Sequence, residues 1–252
     1  MNKSSKNVKR IIFDSKDDWK EFRSKYFTSS KINSLMDLVK REMNENELLA
    51  RVSTKAKTII DPLILSDGAI TYILKTISNT ESTPHFPDFY NMKMERGNEI
   101  ESQAVLRFCK DYDYSINGDN MIYTSIGGYV FFYDEELNRG GTPDILLIND
   151  KKDVEIKCPD ASTHLYYKLY LTHLNFQREL PIYYDQMQHN MSLTGATKTI
   201  FMSFDPNFKK EADQAFYLEI SANETRQNEI LNKIRLSNNL RNELLIKLNN
   251  GI

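Results

Sequence analysis

The chain has 252 residues, with 33 Lys and Arg against 35 Asp and Glu for a formal net charge of −2, a length that suits one α/β domain over residues 1–252 and leaves little for a second. That charge excludes nucleic-acid binding by bulk attraction, so any basic lining has to be local to the fold. No apolar run approaches a membrane span, Met1-Asn2-Lys3-Ser4-Ser5-Lys6 lacks the hydrophobic region of a signal peptide, and the two cysteines, Cys109 and Cys158, exclude a disulfide framework; the expectation is a soluble protein of the reducing cytoplasm.

In chain order, residues 16–25 and 30–50 read as helices, the second entered through the N-capping hydroxyls of Thr28, Ser29 and Ser30. Asp61-Pro62 breaks the pattern, and a helix over 66–78 follows with Ser66 or Asp67 as its cap. The prolines of 82–88 mark a loop. Ile100, Ala104, Val105 and Phe108 recur at helical spacing, so a helix over 92–111 faces the core with Glu101 on or near its buried side. Strands are expected over 121–133, 143–149 and 153–158. A helix over 180–194, a strand over 198–205 and a C-terminal helix over 222–249 complete a mixed central sheet flanked by helices. The apolar stripe of the last helix is expected to pack on the domain or on a neighbouring subunit.

Chemistry concentrates between 142 and 159. The apolar run Ile145-Leu146-Leu147-Ile148, the polar turn 149–153 and the run from Val154 predict a β-hairpin. Asp144 opens one strand and Glu155 lies inside the next, so the two carboxylates can converge. Two anionic oxygen donors at one point suit a hard divalent cation such as Mg²⁺. Lys157, two residues after Glu155, shares its face. A lysine there can polarise an attacking water or stabilise charge on a phosphoryl oxygen.

Thr142-Pro143-Asp144 with Glu155-Ile156-Lys157-Cys158-Pro159 resembles the active-site signature of the phage lambda exonuclease family, the YqaJ-type viral recombinases of the PD-(D/E)xK nuclease superfamily. Three further segments match in order. Trp19 and Arg23 with Thr28-Ser29-Ser30 resemble an N-terminal W-x-x-x-R…T-A-S element, Ser29 replacing the usual Ala and Lys25 a common Gly. Arg96-Gly97 with Glu101 and Ala104 resembles an R-G-x-x-x-E-x-x-A helix, and Tyr183 with Gln186 and Gln188 a Y-x-x-Q-x-Q helix.

The resemblance implies a restriction-endonuclease-like core and a catalytic set of Glu101, Asp144, Glu155 and Lys157. Asp144, Glu155, the carbonyl of Ile156 and Glu101 would hold two Mg²⁺ ions, or Mn²⁺, with Asp134 a weaker candidate that also reads as part of an acidic turn. Arg23, Ser30 and Thr142 would grip a 5′ phosphate, Thr142 standing for the usual Ser; Tyr183 and Gln186 would position the scissile strand. Lys168 and Arg178, among the tyrosines of 160–180, would sit on a loop lining a DNA channel. Trp19 is expected in the core, and none of the four histidines has metal-ligand spacing. The function implied is 5′→3′ digestion of double-stranded DNA ends by a homotrimer, leaving 3′ tails for a single-strand annealing protein in phage-type recombination. A nicking or structure-specific endonuclease on the same core, or a DNA-end-binding protein with a vestigial site, are the alternatives.

Overall fold

Ser15, Ser66, Asp160 and Asn223 side chains cap four of the described helices, and long-range strand pairs build the sheets they pack on. The computed structural model describes residues 7–42, 58–61, 63–82, 92–116, 118–124 and 128–251; the side chains of 41–42, 58–60 and 92–99 lie outside that description. The loop expected over 82–88, with His85, falls almost wholly outside it, as do Pro62 and the side chain of Arg96.

β1 (Lys9–Phe13) leads into α1 (Lys16–Ser24), begun by the Ser15 hydroxyl, which accepts from the amides of Asp17 and Asp18. β2 (Phe27–Thr28) passes into a 3₁₀ turn over Ser29–Leu35, followed by β3 (Val39–Glu42), which pairs antiparallel with β4 (Thr58–Asp61). The helix expected over 30–50 is therefore corrected across its described part. Thr28 makes no capping bond there and its hydroxyl meets Tyr72 instead, the tighter turn buries Ile32 and Leu35, and the ladder with β4 claims Val39–Glu42. α2 (Asp67–Glu81) is capped by Ser66, and α3 (Met92–Tyr112) brings Ala104, Val105 and Phe108 into the core.

Five strands follow: β5 (Met121–Tyr123), β6 (Tyr129–Asp134), β7 (Arg139–Gly141), β8 (Ile145–Leu147) and β9 (Lys152–Lys157). The stretch expected as a loop over 160–180 instead forms α4 (Ala161–Tyr170), capped by Asp160, and α5 (Phe176–Glu179). Tyr167 and Phe176 there have apolar partners in the sheet, which a solvated loop would leave exposed. α6 (Pro181–Thr194) ends on Gly195 at φ 79°, a left-handed stop that glycine adopts without strain. β10 (Lys198–Phe204), α7 (Glu211–Gln214), β11 (Ala215–Ser221) and α8 (Glu224–Asn249) complete the order.

Among the described residues the main sheet runs β11-β10-β9-β8-β5, with β9 and β10 parallel and the other pairs antiparallel. A second sheet runs β1-β6-β7-β2, closed by a parallel pair, Phe27↔Arg139 and Thr28↔Gly140. One face of the main sheet buries Ile145, Val154, Ile156, Ile200 and Met202 against α3; each such side chain contributes roughly 1.5–3 kcal/mol. The other face meets α4 and α6 through Phe201, Leu218, Tyr167 and Met187. α8 packs Ile230, Leu231 and Ile234 on Ile32, Leu35, Ala69 and Ile73, so the first half of its stripe is covered within this chain, while Ile246 and Leu248 in its last turns are exposed. No described helix is long and apolar enough to cross a membrane.

Candidate active site

β9 sits at the centre of the main sheet, and its alternation divides two environments. Val154 and Ile156 join the apolar layer under α3, whereas Asp153, Glu155 and Lys157 face α6. Antiparallel pairing of Ile145 with Val154 sets Asp144, one residue earlier, across from Glu155. The Ile156 amide donates to Asp144 Oδ2 at 2.6 Å. The Lys157 ammonium donates to Glu155 Oε1, and the Gln186 amide reaches the same oxygen at 2.6 Å. Glu155 Oε2 is buried without a hydrogen-bond partner among the described residues. Lys157 Nζ lies 4.9 Å from the centre of the Tyr183 ring, so Tyr183 and Gln186, one turn apart on α6, both meet the hairpin. From α3, Glu101 Oε1 accepts from the Tyr123 hydroxyl at 3.1 Å.

The acids share one field. Burial raises the Glu155 carboxyl to about 7; Lys157 opposes this, and Asp144 and Glu101 add to it. Burial also raises Asp144 and Glu101, the latter further through Asp144. For Lys157 burial works against the charge, but Glu155 and Asp144 outweigh it and hold the ammonium above the ordinary lysine range. Among the described residues no three Asp, Glu, His or Cys side chains already form a metal cage. The donor set nonetheless fits a hard cation: all its side-chain donors are carboxylate oxygens, their charges repel, and one buried oxygen of Glu155 has no partner among the described residues.

A second group adjoins the first through Thr142-Pro143-Asp144. Arg23, half-buried near the end of α1, lies 4.2 Å over the Trp19 ring, and its Nη2 donates to Ser30 Oγ at 3.3 Å. Trp19 Nε1 at 3.3 Å and Thr142 Oγ1 at 2.8 Å both donate to the Val130 carbonyl. Arg23, Ser30 and Thr142 are thus joined through Trp19 and β6. Burial lowers the proton affinity of Arg23, and among the described residues no carboxylate pairs with it. Trp19, expected to be core alone, is the platform for this guanidinium; its place four residues before Arg23 was the available signal.

The remaining candidates fall elsewhere. Asp134 is buried in β6, accepts from the Leu137 amide at 3.2 Å and holds Arg139 Nε at 3.4 Å. None of its described contacts reaches Glu101, Asp144, Glu155 or Lys157. Gln188 donates to the Ser221 carbonyl at 2.9 Å and accepts from the Asn223 amide at 2.8 Å, tying α6 to the start of α8. Lys168 pairs with Asp213 and Arg178 with Glu179, so both are engaged within the chain. Tyr123, which no motif flagged, is the described partner of Glu101.

A family model described as the YqaJ-like viral recombinase domain matches residues 18–197. The chain belongs to this family. The matched span contains both Arg23 and the Asp144–Glu155–Lys157 hairpin. Among solved structures, the alkaline exonuclease LHK-Exo from Laribacter hongkongensis is 21% identical, with a TM-score of 0.63 over 93% of this chain and 97% of that one. A structure of LHK-Exo in complex with dAMP gives the same figures. A phage-related exonuclease from Haemophilus somnus 129PT is 12% identical, with a TM-score of 0.59 over 88% of this chain and 96% of that one. The likeness shows a shared fold, the mixed α/β restriction-endonuclease-like architecture. Comparison with curated proteins finds no match.

Proposed function

We propose that the chain is a Mg²⁺-dependent 5′→3′ exonuclease on double-stranded DNA ends. Family membership and the fold shared with two exonucleases support a phage-type nuclease. The observation that carries the polarity is Arg23: a half-buried guanidinium on an indole platform, beside Ser30, with no described carboxylate, joined to the acidic hairpin through Thr142 and Asp144. A guanidinium fork with flanking hydroxyls suits a terminal phosphate, which an internal cutter does not need.

Asp144, Glu155, the Ile156 carbonyl and Glu101 would hold two Mg²⁺ ions, with Mn²⁺ as a substitute. When bound, they supply charge stabilisation at the attacking and leaving oxygens and an acidified water. Lys157, kept protonated by Glu155 and Asp144, stabilises charge on the phosphoryl oxygens. Gln186 orients Glu155, and Tyr183 covers Lys157. The products are 5′-phosphomononucleotides and a 3′ single-stranded tail for an annealing protein, in the cytoplasm of a bacterial host. Assembly as a homotrimer belongs to the same reading; exposed Leu169, Tyr170 and Leu174 are apolar surface of the kind subunits cover.

The test is digestion of linear duplex with and without a 5′ phosphate, beside covalently closed circular duplex, in Mg²⁺. Loss of linear DNA alone, fastest from phosphorylated ends and releasing mononucleotides, is the expected result. Cutting of the closed circle would replace this reading with the endonuclease one.

A further inference from the structure

Beneath the Arg23 group lies a buried polar cluster that the proposed chemistry does not use. Ser29, Arg139, His189 and Asn190 are each 3% exposed or less. His189 Nδ1 stands 2.8 Å from Ser29 Oγ, which also lies 3.4 Å from the Gly140 carbonyl. Four residues further along the 3₁₀ turn, and four residues back along α6, Asn33 Nδ2 donates to Asp185 Oδ2 at 2.7 Å. Two ties therefore fasten the turn to the helix in opposite directions. Arg226 fixes the lower tie by donating to both Asp185 oxygens, at 2.7 and 2.8 Å. The upper tie is crowded: a Cβ at Gly141 would stand 2.0 Å from Ser29 Oγ and 2.4 Å from Asn190 Oδ1.

Satisfaction of this cluster is incomplete. His189 Nε2, Arg139 Nη2 and both amide atoms of Asn190 lack a hydrogen-bond partner among the described residues. Apolar side chains would pack such a junction at lower cost, so the polar contacts call for a reason beyond stability. Geometry supplies one. Ser29 immediately precedes Ser30, and His189 is one helical turn beyond Gln186, which touches Glu155. α6 thus meets the acidic hairpin and the end-binding turn from one side. Burial and the Arg139 charge keep the imidazole neutral, well below its usual range, so the contact has one character across working pH.

We propose that His189 is a positioning residue: by holding Ser29 it sets Ser30, and through it Arg23, in register with the carboxylates that Gln186 reaches from the same helix. This rests on the reading of Arg23, Ser30 and Thr142 as a 5′-phosphate grip. The measured quantity is the ratio of kcat/KM on 5′-phosphorylated to 5′-hydroxyl duplex ends, in the unaltered protein and in His189→Ala, His189→Gln, Ser29→Ala and Arg23→Ala. Ser29→Ala removes a single oxygen and keeps the test alive where His189→Ala empties too much core to fold. The ratio is expected to fall about fivefold in His189→Ala and Ser29→Ala, through KM for phosphorylated ends, with His189→Gln recovering most of it. An unchanged ratio in Ser29→Ala overturns the proposal, and so does a parallel loss on both kinds of end. If Arg23→Ala alone collapses the ratio, the grip stands and only the role of His189 falls. If the unaltered protein shows no preference for phosphorylated ends, the grip itself falls, and the inference with it.

Discussion

Lys157 shows how a single side chain acquires its task from its neighbours. Desolvation lowers its proton affinity, yet Glu155 and Asp144 outweigh it and keep it charged. A permanently protonated amine is a poor general base and a good electrostatic stabiliser. Lys157→Gln, which keeps an amide donor but removes the charge, is therefore expected to lower single-turnover cleavage by about 10²–10³-fold. Binding to duplex ends, followed by fluorescence anisotropy in Ca²⁺, should change little. Undiminished cleavage would remove Lys157 from the chemistry. Period-2 spacing from Glu155 was enough to place this lysine from sequence. The partner of Glu101 was not legible in the same way, because Tyr123 lies 22 residues on, in the following strand, and no periodic pattern links the two.

Elements were legible where their signal is local. The helix over 92–111 and the hairpin from 143 to 158 carry their periodicity within themselves, and both form nearly as expected. β2 and β7 do not: Arg139-Gly140-Gly141 has almost no intrinsic strand preference and becomes a strand through β6 on one side and Phe27-Thr28 on the other. Non-local pairing of β3 with β4 likewise explains why a helix over 30–50 was a reasonable expectation and fails across its described part. In β7 the glycines are needed for close approach. A Cβ at Gly140 would stand 2.3 Å from Phe131 Cζ and 2.9 Å from the Phe132 carbonyl. The ring is fully buried and the carbonyl belongs to the backbone, so neither yields easily. Gly140→Ala is expected to destabilise the protein by about 1–3 kcal/mol in urea denaturation at constant m-value. An unchanged midpoint would mean that β6 and β7 separate without strain.

Across the whole molecule, the near-neutral total of −2 conceals acids buried at the sheet centre. Burial raises Glu155 to about 7 and Asp153 to about 8, while unfolded carboxylates titrate near 4. Between pH 6.5 and about 8 the folded chain therefore holds protons that the unfolded chain has lost, and stability is expected to fall as pH rises. His189 has the opposite sign, since its imidazole is depressed on folding, but its contribution is lost only below about 6.5, the ordinary histidine value. The lowered carboxyls Glu179, Glu211 and Glu219 act lower still, below the ordinary glutamate value. In EDTA, unfolding free energy is expected to drop by on the order of 1 kcal/mol per pH unit across this window. Mg²⁺ should flatten the drop, because a cation that binds the ionised carboxylates stabilises the form that high pH produces. Glu155→Gln should reduce both the slope in EDTA and the response to Mg²⁺. A stability that is flat or rising with pH in EDTA would mean that the acids ionise without penalty in the fold. A slope indifferent to Mg²⁺ would take the metal away from them.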